Sequence, residues 1–244
     1  MNAITVQNLT KTFAGSMAVE NISFSLPRGQ VLGLLGGNGA GKTTTISMLL
    51  GLLVPTAGSI TMLGHDMAHN RFAALARMNF SSPYIALPAR LSVIENLRVY
   101  GHLYNVPHLS RRIAELAEQF DLAGLLKCPA GELSAGQKTR VALAKSLINK
   151  PDLLLLDEPT ASLDPHTGDF VRTTLERYRA QSNAAILLAS HNMAEVERLC
   201  DTVLMMKAGK IVDRGTPDEL IARYGRESLE QVFLDIARSA GAAA

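Results

Sequence analysis

The 244-residue chain has no charge of either sign in real excess: 24 lysines and arginines stand against 22 aspartates and glutamates, a formal net charge of +2. A broad basic face of the kind that dominates nucleic-acid binding is therefore not expected, and nucleic acid is not among the expected partners. Cysteine is almost missing. Cys128 and Cys200 are far apart and belong to no C-x-x-C or Cys/His cluster, which excludes a disulfide framework and a zinc site and fits two thiols in a reducing compartment. Long apolar runs are missing too. Residues 48–54 and 153–156 are among the longest, far short of the roughly 20 residues that a membrane span needs. The opening Met1-Asn2-Ala3-Ile4-Thr5 lacks the basic and apolar regions of a signal peptide. A soluble chain is expected, held at any membrane by other polypeptides. Neither an internal repeat nor a long low-complexity tract is present.

What is there suits one large α/β domain or two small ones, with 47% hydrophobic residues available for a core. Ile4-Thr5-Val6 and Ile22-Ser23-Phe24-Ser25-Leu26 alternate apolar with polar, as strands of an antiparallel edge do. Residues 31–35 read as a buried strand entering a glycine-rich loop. Residues 44–53 carry Ile46, Leu49, Leu50 and Leu53 at the spacing of a helix packed on a sheet. Ser92 and Glu95 form a potential capping box ahead of a stripe of Val93, Leu97, Tyr100 and Tyr104. Ser110 is a candidate cap for a second helix, with Ile113, Leu116, Ala117 and Phe120 on its stripe. A helical insertion over about residues 85–146 is the expectation. Strand-like runs return at 153–156, 184–189 and 203–206, with a helix carrying Phe170, Val171, Leu175 and Tyr178 between the first two, a βαβ rhythm that predicts a parallel sheet. Ala208-Gly209 between two β-type segments predicts a two-residue hairpin turn, and a short helical tail follows Tyr224.

Four motifs occur in order between residues 36 and 191. Gly36-Gly37-Asn38-Gly39-Ala40-Gly41-Lys42-Thr43 fits G-x-x-x-x-G-K-[ST], the phosphate loop. Its glycines let backbone N–H groups approach an anion, and the following helix, with Thr44 in its first turn, offers its positive end to the same oxygens. Lys42 supplies a cation for the β- and γ-phosphates, and the Thr43 hydroxyl is placed for Mg²⁺. Asp157 ends a run of four leucines; a carboxylate at the C-terminal edge of such a strand faces the ligand crevice, where it can hold Mg²⁺ through water. Glu158 is the better candidate for deprotonating an attacking water, although two adjacent carboxylates also suit a plain helix cap.

Leu133-Ser134-Ala135-Gly136-Gln137 resembles the signature motif of ATP-binding-cassette (ABC) ATPases, with Ala135 where the family usually has glycine. Glu158-Pro159-Thr160 followed by Ala161-Ser162-Leu163-Asp164 is similar to the family's catalytic glutamate and D-loop, and His191 to its switch histidine. Phe13 stands where the family has an aromatic that stacks on adenine. The resemblance covers about residues 2–225. It implies an α/β P-loop NTPase fold with a mixed core sheet, an antiparallel N-terminal edge sheet and an inserted α-helical subdomain, forming an ATPase domain over 1–225 with a helical tail over 226–244. It also implies ATP and Mg²⁺ as cofactors, and a head-to-tail dimer with a second copy or a homologous ATPase. There Ser134, Ala135, Gly136 and Gln137 serve the γ-phosphate bound to the opposite subunit. Ser134 equally suits an ordinary helix N-cap.

The resemblance has one gap. The family's glutamine at the end of the strand entering the insertion, a contact of Mg²⁺ and the attacking water, has no counterpart, since no glutamine lies between Gln30 and Gln119. Ser81 or Ser82 offers a shorter hydroxyl there, which makes Ser82 a further candidate at the metal.

The resemblance further implies a transporter ATPase bound to separate transmembrane permease subunits, exporter rather than importer, at the cytoplasmic face of a bacterial inner membrane. A family member acting on ribosomes or DNA would carry a second cassette, a long coiled coil or zinc-binding cysteines, and this chain has none. A regulatory module with little turnover would fit the missing glutamine but not the intact Glu158 and His191. Residues 83–88, Pro83-Tyr84-Ile85-Ala86-Leu87-Pro88, are apolar and bracketed by prolines; Tyr84 and Leu87 are expected to line the docking cleft for the permease, or else to pack under the insertion.

Overall fold

A computed structural model describes residues 1–82, 87–161 and 163–238. The chain opens with β1 (Asn2–Phe13), β2 (Ser16–Pro27), β3 (Val31–Leu35), α1 (Lys42–Leu49), β4 (Ala57–Met62) and β5 (His65–Asp66). It continues through α2 (Arg71–Leu75), β6 (Met78–Ser81), α3 (Val93–Leu103), α4 (Leu109–Gln119) and α5 (Ala135–Ser146). It ends with β7 (Leu153–Asp157), α6 (Pro165–Ser182), β8 (Ala185–Ala189), α7 (Met193–Leu199), β9 (Thr202–Lys207), β10 (Lys210–Gly215), α8 (Pro217–Tyr224) and α9 (Leu229–Arg238).

The strands form two sheets, an antiparallel one ordered β2-β1-β4-β5 and a larger one ordered β10-β9-β3-β8-β7-β6. In the larger sheet every pairing is parallel except that of β10 with β9. Successive residues of a strand point to opposite faces, and here both faces are covered. Leu154 and Leu156 enter the core cluster shared with the helical insertion, whereas Leu153 and Leu155 enter the one shared with the antiparallel sheet. Continuous apolar runs are what a doubly buried parallel sheet requires. Because β3, β6, β7 and β8 run the same way, residues 36, 82, 158 and 190 all leave the sheet at one edge.

The hairpin forms as expected: Lys207 pairs with Lys210, and Ala208 and Gly209 both take positive φ, 46° and 79°. The capping box of α3 also forms, and Val93 and Leu97 are buried beneath it. Two expected boundaries move. The helix expected over 44–53 ends at Leu49, because Gly51 (φ 67°) turns left-handed, with its N–H on the Met48 carbonyl and the Leu52 N–H on the Ser47 carbonyl. Leu50 and Leu53 still pack on the core from outside the helix. The second insertion helix begins at Leu109, capped by His108 in a left-handed conformation, so Ser110 lies inside it. Packing decides this: the Leu109 side chain sits where a Cβ on Gly101 of α3 would be, 2.1 Å from that position. The tail is less separate than a tail suggests, since Leu229 and Val232 of α9 are fully buried in the larger core cluster.

Candidate functional site

The turn after β3 carries the phosphate loop. Gly36 and Gly41 are needed for close approach: a Cβ on Gly36 would lie 2.6 Å from the Met206 carbonyl, and one on Gly41 (φ 102°) 2.7 Å from that of Ala18. Gly37 and Gly39 face open space instead, so the loop has one side anchored to β2 and β9 and one side free. Gly41 caps α1 without a side chain, and no acidic residue lies in the first turn. The N–H groups of Lys42, Thr43 and Thr44 therefore form an uncompensated positive end. The Lys42 ammonium donates to the Gly36 and Gly37 carbonyls. Phe13, at the tip of the hairpin whose far strand supplies Ala18, is 46% exposed, and the Lys11 ammonium stands 5.0 Å from its ring centroid. Asn38 and Ala40 complete the loop, Ala40 donating its N–H to the Gly37 carbonyl.

Two strands along, Asp157 and Glu158 leave β7. Asp157 is half-buried, and burial together with neighbouring Glu158 raises its carboxyl above the ordinary range, opposed by the Lys42 charge. The half-buried Asp157 carboxylate and the exposed Thr43 hydroxyl are hard oxygen donors of the sort a Mg²⁺ ion takes. Glu158 holds a left-handed backbone (φ 52°), rare for such a residue. Its N–H bonds to the Ala189 carbonyl at 2.8 Å. That conformation turns the side chain toward β8, where Oε2 lies 2.6 Å from His191 Nδ1 and 3.2 Å from the His191 N–H. Glu158 is mostly covered and His191 mostly exposed, so a sheltered carboxylate is held by a ring that reaches solvent.

Ser82 follows β6, whose Ser81 pairs with Leu156, one residue before Asp157. It is buried, beside the carboxylate pair on the same sheet edge. Ser134 caps α5 in a reciprocal box with Gln137: the Ser134 N–H donates to the glutamine Oε1 at 2.9 Å, and the Gln137 N–H to the serine Oγ at 3.3 Å. Both readings of Ser134 survive, since capping leaves Ser134 and Ala135 exposed. Asp164 caps α6 by accepting from Thr167 N–H and hydroxyl, and Thr167 Oγ1 is 3.1 Å from where a Cβ on Gly136 would sit. The first turn of α6, which Asp164 caps, thus lies close to Gly136 of the signature segment. Among the described residues no hydrogen bond or ion pair joins residues 134–137 to the phosphate loop, Asp157, Glu158 or His191. Tyr84 lies outside the described residues, and Leu87 is half-buried against the larger core cluster rather than standing free. Beside it lies an apolar cleft of about 630 Å³ lined by Leu52, Phe72, Leu75, Phe80, Leu103 and Tyr104.

The sequence pattern described as ABC transporter matches residues 19–161. The chain belongs to the ABC transporter family. As a cassette of this family it binds and hydrolyses ATP. It is 38% identical over 220 residues to the Nod factor export ATP-binding protein I of Ralstonia nicotianae, covering 89% of this chain and 68% of that protein. It is 34% identical over 240 residues to the probable multidrug ABC transporter ATP-binding protein YbhF of Escherichia coli, covering 96% of this chain and 41% of that protein. Among solved structures, the ATP-binding subunit of an ABC transporter superposes with a TM-score of 0.88 at 27% identity, covering 96% of this chain and 99% of that one. Next to these residues is one that the motifs do not mark: Glu195 of α7, fully buried and hydrogen-bonded to Ser190, the neighbour of His191.

Proposed function

We propose that this cassette drives export across a bacterial inner membrane, working from the cytoplasmic face with separate permease subunits. The similarity to Nod factor export ATP-binding proteins supports export. No helix among the described residues is long and apolar enough to cross a membrane. In this reading ATP lies between two head-to-tail cassettes. The loop of residues 36–41, Lys42 and the first turn of α1 hold its phosphates, and Phe13 takes the adenine. Mg²⁺ falls to Thr43 and Asp157, with Ser82 reaching it through water, and when bound it would neutralise charge on the β- and γ-phosphates. Residues 134–137 of the opposite copy close over the γ-phosphate, and Asp164 lies at the same interface. Glu158 accepts the proton of the attacking water, and His191 contacts the γ-phosphate.

The observation that carries this reading is the left-handed Glu158 pinned to His191 beside Asp157. Backbone strain of this kind costs about 1–3 kcal/mol and persists where surrounding structure enforces it. Glu158→Gln keeps the shape and removes the base, so turnover should fall roughly 10²- to 10⁴-fold while ATP binding survives. Chromatography of that variant in saturating ATP should show a dimer. A monomer would count against the shared site, and undiminished turnover against Glu158 as base.

A further inference from the structure

Glu195 has no part in the chemistry above, yet its surroundings are built around the residue that has. Its Oε2 accepts the Ser190 hydroxyl at 2.6 Å. That hydroxyl accepts the Asn192 N–H at 3.1 Å, and Asn192 Oδ1 accepts the Glu195 N–H at 3.3 Å. His191 is the residue between Ser190 and Asn192, so this ring of bonds closes around its backbone. Among the described residues Glu195 Oε1 has no hydrogen-bond partner. For packing alone an apolar side chain would serve better at a fully buried position, because a carboxyl there loses its hydration and here recovers only part of it. A buried polar network fixes one geometry instead.

We propose that Glu195 is a positioning residue for hydrolysis: through Ser190 it sets the place of His191 against Glu158. This rests on Glu158 and His191 being the hydrolytic pair. The side chain touches neither water nor phosphate in this role. It determines whether the pair that does is aligned, and small misplacements at such a pair are costly.

The test is steady-state ATPase activity with equilibrium ATP binding and a urea midpoint on the same proteins. Ser190→Ala and Glu195→Ala should each lower kcat roughly ten- to hundredfold, with KM for ATP and ATP affinity held within about twofold. Glu195→Gln retains an oxygen for the Ser190 hydroxyl and should recover most of that kcat. The Ser190→Ala/Glu195→Ala double variant should be no slower than the worse single, because both break one bond. Losses that multiply, or a kcat for Ser190→Ala within about twofold of the parent, would overturn the inference. So would a parallel fall of kcat, ATP affinity and urea midpoint, which is what a merely structural carboxyl would give. If Glu195→Ala does not fold, Ser190→Ala and Glu195→Gln decide the matter. Glu158→Gln is measured alongside. If it is inactive while Ser190→Ala is fully active, only the role of Glu195 fails; if it is itself active, the hydrolytic pair fails and the inference with it.

Discussion

Lys42 lies back on its own loop, its ammonium on the Gly36 and Gly37 carbonyls. That contact satisfies the cation without nucleotide, and it places the charge at the mouth of the cradle where phosphates would meet it. Lys42→Ala removes the cation but no buried contact of size, since the side chain is only half-covered. ATP hydrolysis should be abolished with the urea midpoint unchanged, and residual turnover near the parent value would reject Lys42 as the phosphate cation. The motifs could be read because each is a short run of consecutive residues whose chemistry is local. Glu158 shows the limit of that: its identity is plain from Asp157-Glu158-Pro159, but its left-handed backbone and its contact with a histidine 33 residues away depend on β7 lying beside β8. Glu195 is further beyond reach, because a glutamate in an amphipathic helix ordinarily faces water, and only the turn at 190–192 makes a buried place for it.

At the level of elements, α5 raises the question of what its N-terminus is for. The capping box explains Ser134 and Gln137 with no ligand at all, whereas an exposed helix end with no acidic residue in its first turn suits an anion. Ser134→Ala separates the two. Loss of the cap alone should cost about 0.5–2 kcal/mol in denaturation. Service to a γ-phosphate should in addition lower turnover roughly tenfold or more at temperatures where the variant is fully folded. A stability loss with full turnover would leave Ser134 a cap. The elements themselves were legible where one rule governed them. Alternation marked β1 and β2, unbroken leucines marked β7, and the paired Ser92 and Glu95 marked the start of α3. They were misread where two rules competed. The apolar spacing ran on to Leu53 past a glycine that ends the helix, and Ser110 looked like a cap until Leu109 was needed against Gly101.

For the molecule as a whole, the uncovered apolar cleft between the sheet core and the insertion is the feature that a lone cassette does not account for. Phe72 and Leu103, both lining it, are each 73% exposed, and Leu52 adds to a surface of the kind that partners cover. A permease segment seated there would bury each at a gain of about 1.5–3 kcal/mol. Phe72→Asp and Leu103→Asp should therefore each reduce recovery of the cassette with detergent-solubilised permease subunits, while leaving ATP binding by the isolated chain intact. Unchanged recovery from both would place the docking surface elsewhere. The cleft was invisible in the sequence because its walls come from α2, β6 and α3 and meet only through the fold.

The short parallel strands at the centre of the sheet, closed to solvent on both faces, have a bearing on how the molecule breathes. The amides of β3, β7 and β8 are bonded on both sides and can exchange with solvent deuterium only when the sheet opens as a whole, whereas the turns leaving their C-terminal ends open locally at far smaller cost. Protection read along the chain should consequently drop in abrupt steps just past Leu35, Asp157 and Ala189, as amide-exchange mass spectrometry can resolve. Each step lands on a segment that meets the nucleotide in the proposed site: the phosphate loop, the turn that begins with Glu158, and the turn that bears His191. Ligand-dependent slowing of exchange should then be concentrated on the fast side of those three boundaries, so that the nucleotide is sensed by backbone that opens locally, hung directly from strands that do not.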